Sequence, residues 1–294
     1  MSQVVQRPCV LVFAGHDPSG GAGIQADIEA IAGQGAHPLV VITALTVQDN
    51  DRVYAVHPVD AGLIVRQAAA LMSKMAIAAI KIGIVGSRDN AEAIARCVQQ
   101  SLVINPVLPV VLDTVLGSGH GDALGRDDAV PSLHSLLALA TLITPNLPEA
   151  QRLSPENGSQ RNQLESQARQ AHQAIHGLQD RHRWAQALLQ HRCTDVLIKG
   201  GHADGEPDVD YVRNSWFTRH SLHEWQWPKL AGEFHGSGCT LAAAIAGQLA
   251  SGKTMSESLQ RAQEFTQRSL ENAYAIATGQ QIPQRVATDL FLGS

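Results

Sequence analysis

Short apolar segments alternate along this chain with longer segments of helical character. Each apolar segment is rich in β-branched residues and is bounded by Gly, Pro, Asp or Asn, which is typical of buried parallel strands. The predicted strands are 10–13, 39–42, 79–82, 110–112, 141–143 and 196–198, and helices are predicted at 21–33, 60–75, 90–100 and 162–190. This order predicts an α/β fold with three layers, α/β/α, in which helices cover both faces of a mostly parallel central sheet.

Polar residues and glycines follow the ends of these predicted strands. Gly15 comes after the first strand, and four polar residues follow later strands: Gln48, Asp113, Asn146 and Lys199. Ligands of parallel α/β folds bind beyond the carboxyl ends of the strands. We therefore expect these residues to meet at one rim of the sheet.

The composition is typical of a globular protein, with 44% hydrophobic and 17% charged residues, and we expect one domain over residues 1–294. Residues 154–192 are rich in Gln, Arg and His and predict an exposed helix. A net charge of −5 without a basic cluster argues against a nucleic-acid partner. No run of about 18 uncharged apolar residues predicts a membrane-spanning helix. The four cysteines form no Cys-x-x-Cys pair, which argues against a zinc site or a disulfide framework and fits a reducing cytoplasm.

The segment His-Gly-Ser-Gly-Cys-Thr-Leu at 235–241 precedes a run of small residues that predicts a helix. Gly236 and Gly238 allow backbone N–H groups to turn toward a bound anion, and the start of the following helix favours negative charge. A phosphate group therefore fits at 236–239. The same field should lower the pKa of the Cys239 thiol below its free value of about 8.5, which makes it a candidate acid or base. The alternative is a buried cysteine after an ordinary glycine turn.

Residues 247–254, Gly-Gln-Leu-Ala-Ser-Gly-Lys-Thr, match the phosphate-binding pattern G-x-x-x-x-G-K-[ST]. A true P-loop connects a strand to a helix, so that its backbone surrounds the phosphates. Here the first glycine lies inside the helix predicted after Cys239, the second follows the end of that helix, and Thr254 is placed to cap the next one, at 255–275. We therefore predict that Lys253 does not bind phosphate.

Seven segments, in order along the chain, together resemble one known family. They are 14–27, 41–48, 81–83, 111–115, 143–150, 199–202 and 235–240. This set resembles the hydroxymethylpyrimidine and phosphomethylpyrimidine kinases of thiamine biosynthesis, in the ribokinase-like superfamily. The resemblance implies a homodimer that transfers the γ-phosphoryl group of ATP, with Mg²⁺, to the hydroxymethyl group of 4-amino-5-hydroxymethyl-2-methylpyrimidine. It also implies a second transfer, to the monophosphate.

The residues that match the family's pyrimidine site fit the chemistry of an aminopyrimidine. An exocyclic amine and ring nitrogens are recognised by a carboxylate that accepts hydrogen bonds and an amide that both donates and accepts them. Asp27 and Gln48 supply these groups. For Asp27 the alternative is an acid on the surface of a helix. The resemblance also implies close approach of the pyrimidine to the backbone and an apolar wall, at Gly15, Ala22, Ile84 and Val115.

The resemblance assigns the transferred phosphoryl group to the turn that precedes the helix predicted after Cys239. It implies that this group binds the backbone amides of Gly236, Ser237, Gly238 and Cys239. Related sugar kinases carry an aspartate base where this chain has Cys239. The thiol is therefore expected to remove or guide the proton of the substrate hydroxyl.

Hard oxygen ligands of the kind that Mg²⁺ prefers come from Asp113 and Glu149, while Asn146 and Lys199 are candidates to bind the nucleotide and its phosphates. On spacing alone, Asn146 and Glu149 also fit a capping box at the start of a helix, and Lys199 also fits a solvated lysine at a strand end. Gly119 stands where the family often has a lysine, which bears on the affinity for ATP.

Two other functions stay open at this stage. Pyridoxal-type vitamin kinases share the glycine-rich cysteine motif and phosphorylate a hydroxymethyl pyridine, so one sequence does not separate the two rings. A non-catalytic ligand-binding or regulatory protein on the same fold is the alternative from another class. The presence of Cys239, Asp113 and Glu149 argues against it.

Overall fold

A computed structural model gives the fold of residues 6–118, 121–122, 124–154, 173–190, 193–201 and 210–286. Its strands are β1 (Cys9–His16), β2 (His37–Gln48), β3 (Val53–Pro58), β4 (Ile77–Ile82), β5 (Val110–Leu112), β6 (Leu142–Ile143), β7 (Asp195–Ile198), β8 (Tyr211–Thr218) and β9 (Leu222–Pro228). Its helices are α1 (Gly23–Gly33), α2 (Ala61–Met72), α3 (Arg88–Ile104), α4 (Ala129–Leu137), α5 (Leu147–Leu153), α6 (Gln173–Leu189), α7 (Ser237–Ala250) and α8 (Met255–Glu271).

The strands of the described residues form one sheet in the order β3-β2-β1-β4-β5-β6-β7-β8-β9. The strands from β2 to β7 in this order are parallel and contain all the predicted strands, which confirms the mostly parallel sheet. An antiparallel β3 extends one edge, and antiparallel β8 and β9 extend the other. These three strands were not predicted, because many of their residues are partly or fully exposed and no continuous apolar run marks them.

The direction in which the sheet grows changes at β1. β2 lies on one side of β1, whereas β4 lies on the other side and the chain then continues outward through β5, β6 and β7. In parallel α/β folds such a switch point leaves a crevice beyond the carboxyl ends of the strands, where ligands bind. The fold thus directs a ligand to the loops that follow β1 and β4.

Helices cover both faces of the sheet, which confirms the three layers. Alternate residues of β1 point to opposite faces. Leu11 and Phe13 belong to the core beneath α2 to α6, while Val10 and Val12 belong to the core beneath α1, α7 and α8. The alanine-rich centre of α7, 242–246, is fully buried, and its small side chains let this helix lie close to the sheet.

Two helical segments differ from the prediction. α1 begins at Gly23 instead of residue 21, because Asp17 holds the preceding residues in a turn by accepting a hydrogen bond from the N–H of Ala22. The helix expected to be exposed over 154–192 is buried along one face of α6, where Ala185 and Leu188 pack in the core. The part of that prediction before residue 173 lies outside the described residues, and α4 was not predicted.

No helix within the described ranges is both long and apolar enough to cross a membrane. The sheet is continuous through these ranges. That residues 1–294 form one domain stays a prediction.

Candidate active site

A cavity of about 380 Å³ opens at the carboxyl edge of the parallel strands. Its walls include the loops that follow β1, β4, β5 and β7, together with the first turn of α7. Every site residue predicted from the sequence lines this cavity except Asp27: Gly15, Ala22, Gln48, Ile84, Asp113, Val115, Asn146, Glu149, Lys199, Gly236, Ser237, Gly238 and Cys239. The fold therefore gathers these distant residues at one rim, as expected for a parallel α/β sheet.

Two helices begin next to each other at the wall of this cavity. α1 starts after Ala22 and α7 starts after Gly236, and neither of these residues caps its helix with a side-chain hydrogen bond. The N–H groups of a first helical turn have no partner within the helix, and the helix dipole adds positive potential there. Two adjacent uncapped N-termini therefore make this wall favourable for an anion.

The close approach of the two helices requires glycine at position 236. Gly236 has a φ of 79°, and a Cβ at this position would lie 2.1 Å from the carbonyl oxygen of Gly21. Gly238 leaves room of another kind, since its Cβ would lie 3.1 Å from Nζ of Lys199. Glycine at 236 thus avoids a clash with the backbone of Gly21, and glycine at 238 leaves space for the ammonium group of Lys199.

Cys239 lies at this junction, and the structure corrects the expectation for its thiol. Burial raises the pKa of Cys239 to about 11, and the negative charges of Asp113 and Asp27 act in the same direction. The charge of Lys81 and the N–H of Gly23, which donates to the sulfur, favour the thiolate without outweighing burial. The prediction of a lowered pKa is therefore wrong, because two buried carboxylates and desolvation oppose the helix dipole. The thiol is protonated at neutral pH.

A buried ion pair lies beside the thiol. Nζ of Lys199 lies 3.0 Å from Oδ1 of Asp113, which also accepts a hydrogen bond from the hydroxyl of Thr144 at 3.2 Å. Burial alone would raise the pKa of Asp113, but the charges of Lys199 and Lys81 hold it below its usual value. Oδ2 of Asp113 is buried and has no hydrogen-bond partner among the described residues. One oxygen of this carboxylate is therefore without a partner among the described residues.

Asn146 and Glu149 form the capping box that their spacing allows. The side chain of Asn146 accepts a hydrogen bond from the N–H of Glu149 at 2.8 Å, and Oε2 of Glu149 accepts one from the N–H of Asn146 at 2.9 Å. Burial raises the pKa of Glu149, although the charge of Lys199 opposes this shift. Both residues also line the cavity, so capping α5 and contacting a ligand are compatible roles.

Asp27 lies outside the cavity wall and is fully buried. Nζ of Lys81, on β4, lies 2.8 Å from its Oδ1 and 2.9 Å from its Oδ2. The alternative of a helix-surface acid is wrong, because Asp27 shares the buried face of α1 with Ile24 and Ile31. The structure does not bring its side chain to the cavity with the other predicted site residues. Lys81 was missed, although a lysine inside an apolar strand is a signal of a buried partner.

Asp17 and His235 connect the loop after β1 to the residue before the α7 turn, and both line the cavity. Oδ2 of Asp17 lies 2.8 Å from Nε2 of His235. Burial would raise the pKa of Asp17, but hydrogen bonds from His235 and Gln48 hold it well below its usual range. Neither residue was a predicted site residue, although both are polar positions within glycine-rich motifs. That placement was the available signal.

The other end of the cavity is formed by β8, β9 and α8. The indole N–H of Trp227 donates to Oε1 of Gln263 at 3.0 Å, and the side-chain amide of Asn214 donates to the same oxygen at 2.8 Å. With its polar atom satisfied, Trp227 contributes apolar aromatic surface to the cavity. This end of the cavity was not predicted, because neither β8 nor β9 was predicted. Gly119 lies outside the described residues.

The P-loop-like segment lies at the opposite end of α7. The helix ends at Ala250, Gly252 follows with a φ of 75°, and Thr254 caps α8 in a capping box with Glu257. Lys253 does not line the cavity. The predicted reading of these residues as a helix end and a helix start is confirmed.

Comparisons with known proteins agree with this architecture. The profile of the phosphomethylpyrimidine kinase family matches residues 17–284. The hydroxymethylpyrimidine/phosphomethylpyrimidine kinase of Escherichia coli (strain K12) is 34% identical over 279 residues, 94% of this chain and 95% of the relative. Its counterpart from Salmonella typhimurium (strain LT2) is 34% identical over 282 residues, 95% of this chain and 96% of the relative.

Solved structures extend the comparison to the fold. Pyridoxal kinase of Bacillus subtilis, in an ADP complex, has a TM-score of 0.79 at 23% identity, covers 97% of this chain and 100% of its own, and shows the fold alone. A phosphomethylpyrimidine kinase from Clostridium difficile 630 has a TM-score of 0.70 at 28% identity and covers 90% of this chain and 100% of its own. The ribokinase-like architecture is thus confirmed. Because the family profile and these relatives span nearly the whole sequence, the chain belongs to the phosphomethylpyrimidine kinase family.

Proposed function

We propose that this protein transfers the γ-phosphoryl group of ATP to the hydroxymethyl group of 4-amino-5-hydroxymethyl-2-methylpyrimidine, and a second phosphoryl group to the resulting monophosphate. The observation that carries the proposal is the pair of uncapped helix N-termini at Cys239, beside the ionised Asp113, one oxygen of which has no partner among the described residues. Fixed dipoles and charges of this kind stabilise a phosphoryl group in transit. The names of the relatives support the pyrimidine as acceptor, and an ADP complex of a kinase with this fold supports the nucleotide as donor.

The proposed pyrimidine position lies between the loop after β1 and the residues after β4. Gly15 and Ala22 allow a flat ring to approach the backbone, Ile84 and Val115 supply the apolar wall, and the carboxamide of Gln48 binds the ring edge. Asp27 does not line the cavity, so we assign it no contact with the ring. Its ion pair fixes the charge of Lys81 near Cys239, so its role is electrostatic instead of a direct contact with the ring.

The proposed nucleotide position runs from the α7 turn toward β8 and β9. Lys199 and Asn146 face the phosphates, and the aromatic surface of Trp227 packs against the nucleoside. Support comes from the charge of Lys199, whose pKa is raised: burial alone would lower it, but Asp113 and Glu149 hold the ammonium form. A permanent positive charge in a dry wall is suited to a triphosphate.

The oxygen atoms near Asp113 fit the Mg²⁺ that the family uses. Oδ2 of Asp113 has no protein partner in the described residues, and the carboxylate of Glu149 lines the same cavity. Within those residues no group of three or more His, Cys, Asp or Glu could hold a metal alone, so water and phosphate oxygens would complete the coordination, as is usual for Mg²⁺. Bound there, Mg²⁺ would neutralise charge on the phosphate oxygens.

The raised pKa of Cys239 determines the role that we assign to its thiol. In the proposed step the substrate hydroxyl oxygen forms a bond to the γ-phosphorus while the bond from that phosphorus to the bridging oxygen breaks, leaving ADP. The hydroxyl proton passes to the sulfur, and the sulfur passes its own proton to an oxygen of the transferred group. A relay of this kind needs no thiolate, which agrees with a thiol that burial keeps protonated.

A homodimer in the cytoplasm is part of the proposal. Leu45 and Val47 on β2 and Tyr54 on β3 are at least half exposed near one edge of the sheet. A second copy of the chain would cover them. All four cysteines are free thiols, and ATP is the donor, which together support a reducing compartment. Light scattering at defined concentrations tests the dimer.

A product-resolved kinase assay tests the function. The purified protein receives ATP and Mg²⁺ with the pyrimidine alcohol, with its monophosphate, or with pyridoxine, and each product is separated and identified. We expect phosphorylation of the first two with a higher kcat/KM than for pyridoxine. Preference for pyridoxine would contradict the pyrimidine assignment. Absence of turnover with every acceptor would support a binding protein instead of an enzyme.

A further inference from the structure

Arg285 lies after α8, at the junction of the two helix N-termini but outside the cavity wall. Its side chain is fully buried. Nε donates to the hydroxyl of Thr240 at 2.7 Å, and Nη2 donates to the carbonyl oxygens of Gly21 and His235. Nη1 lies 3.2 Å from Oε2 of Glu29. One guanidinium group therefore binds both the turn before α1 and the turn before α7.

The two turns touch through the backbone of Gly21 and Gly236, and the hydrogen bond between Asp17 and His235 is a second link between them. The carbonyl oxygen of Gly21 that accepts from Arg285 is the same atom that a Cβ on Gly236 would strike. The hydroxyl of Thr240 donates to the carbonyl oxygen of Gly236 at 2.8 Å and accepts from Arg285. The guanidinium thus contacts each side of the gap between the turns.

Peptide geometry connects these contacts to the proposed phosphoryl site. A trans peptide is planar, with its C=O and N–H pointing in opposite directions, and the described residues contain no cis peptide. When the carbonyl of His235 turns toward Arg285, the N–H of Gly236 in the same peptide turns away from it. Gly236 lines the cavity, whereas Arg285 does not. The contact therefore holds the orientation of the peptide whose N–H belongs to Gly236, a residue of the cavity wall.

We propose that Arg285 is a positioning residue for phosphoryl transfer, which holds the 235–236 peptide and the spacing of the two turns so that the amides of the α7 turn meet the transferred group. This inference rests on the proposed function. A guanidinium offers five N–H donors in one plane and holds several acceptors at once, whereas a lysine ammonium is a point charge. The geometry of the donors, more than the charge, is what the site uses.

The experiment compares Arg285→Ala and Arg285→Lys with the wild type, and uses Arg181→Ala as a matched control. Arg181 is also buried and donates to the backbone carbonyl of Arg213 at 3.0 Å, but it lies on α6 and does not line the cavity. Each variant is characterised by its melting temperature, by kcat and by KM for both substrates. The assay is repeated with guanidinium ion at concentrations that leave the wild type folded.

We expect Arg285→Ala to lower kcat by about 10²-fold, the effect of displacing a catalytic group by about 1 Å, with smaller changes in both KM values. Guanidinium ion should restore part of the kcat of Arg285→Ala, because it can occupy the vacated space. Arg285→Lys should show most of the loss. Arg181→Ala should lower the melting temperature without a selective loss of kcat.

A kcat for Arg285→Ala within about threefold of the wild type would overturn the proposal. So would a loss that guanidinium ion does not restore and that Arg181→Ala reproduces, since that pattern indicates general destabilisation. If Arg285→Ala does not fold, Arg285→Lys decides: loss of kcat at an unchanged melting temperature supports the role, and normal kcat overturns it. Wild-type turnover tests the proposed function, while only the ratio of variant to wild type tests Arg285.

Discussion

The two ends of α7 both carry a glycine turn, yet only one of them forms part of the cavity. At the N-terminal end, Gly236 has a φ of 79°, precedes a helix without a side-chain cap and lies against Gly21. At the C-terminal end, Gly252 has a φ of 75° with no atom within 4 Å of where a Cβ would lie. Similar backbone angles therefore serve close packing at one end and an open turn at the other.

The difference lies in which polar groups remain unpaired. The start of α7 offers N–H groups and positive potential, whereas its end offers carbonyl oxygens and negative potential, which repel a phosphate. The next helix, α8, is closed by its capping box: the hydroxyl of Thr254 accepts from the N–H of Glu257, whose carboxylate accepts from Thr254 in return. A phosphate-binding pattern in the sequence thus indicates a phosphate site only where it lies at an uncapped helix start.

Substituting alanine for Gly236 and for Gly252 should give the largest difference in kcat between the two ends of α7. Gly236→Ala places a Cβ 2.1 Å from the carbonyl oxygen of Gly21, so the turns must move apart. We expect kcat to fall by about 10²-fold or more. Gly252→Ala meets no neighbour, and its strained backbone should lower the free energy of unfolding by about 1 to 2 kcal/mol without changing kcat. Steady-state kinetics and denaturant unfolding measure both effects, and equal kinetic losses would contradict the comparison.

Two lysines provide the next test, measured as the KM for ATP. Lys199 lines the cavity, and we expect Lys199→Ala to raise this KM by about tenfold or more, the usual cost of a charge-assisted phosphate contact. Lys253 follows the end of α7, and Lys253→Ala should leave the KM within about threefold of the wild type. Lys199→Ala also removes the ion pair with Asp113, and its melting temperature shows whether that loss destabilises the fold. A collapse of ATP binding in Lys253→Ala would restore the P-loop interpretation.

The protonation of Cys239 is tested by its rate of alkylation against pH. Cys97 and Cys193 are buried, so a Cys9→Ser background leaves Cys239 as the partly exposed thiol. With its pKa raised to about 11, only a small fraction is thiolate at pH 8, and the rate should increase as pH rises through 9 to 11. At pH 8 its thiolate fraction is about 10²-fold smaller than that of a free thiol of pKa about 8.5, so we expect iodoacetamide to react at least about tenfold more slowly, even though the more basic thiolate is the stronger nucleophile. If the midpoint of the curve of alkylation rate against pH lies below about 8.5, the helix dipole outweighs burial.

The parallel half of the fold was predictable from the sequence, because strands buried on both faces are continuous apolar runs. β8 and β9 were not, since residues such as Glu224 and Gln226 interrupt their apolar pattern and one side of the hairpin faces solvent. The aromatic end of the cavity was lost with them. The start of α8 was predicted correctly because Thr254 marks it as a cap.

Most predicted site residues lie together because the carboxyl ends of parallel strands share one rim. What the sequence could not show are contacts between distant elements. Asp27 pairs with Lys81 across 54 positions, and this buried pair and the nearby Asp113 decide the charge around Cys239. Arg285 follows the last described helix in a polar segment with no motif, so only the folded chain shows that it meets the α7 turn.

Turnover by Cys239→Ala tests the central claim, that the phosphoryl group moves at the N-terminal turn of α7. The measurement is kcat with the pyrimidine alcohol and saturating ATP, beside the melting temperature of the variant and of Cys239→Ser. The account predicts a loss of about 10²-fold or more for alanine in a normally folded protein, the usual effect of removing a proton-transfer group. Serine should retain more activity than alanine, because a hydroxyl can also relay a proton. Near-normal turnover by a folded Cys239→Ala would contradict the account.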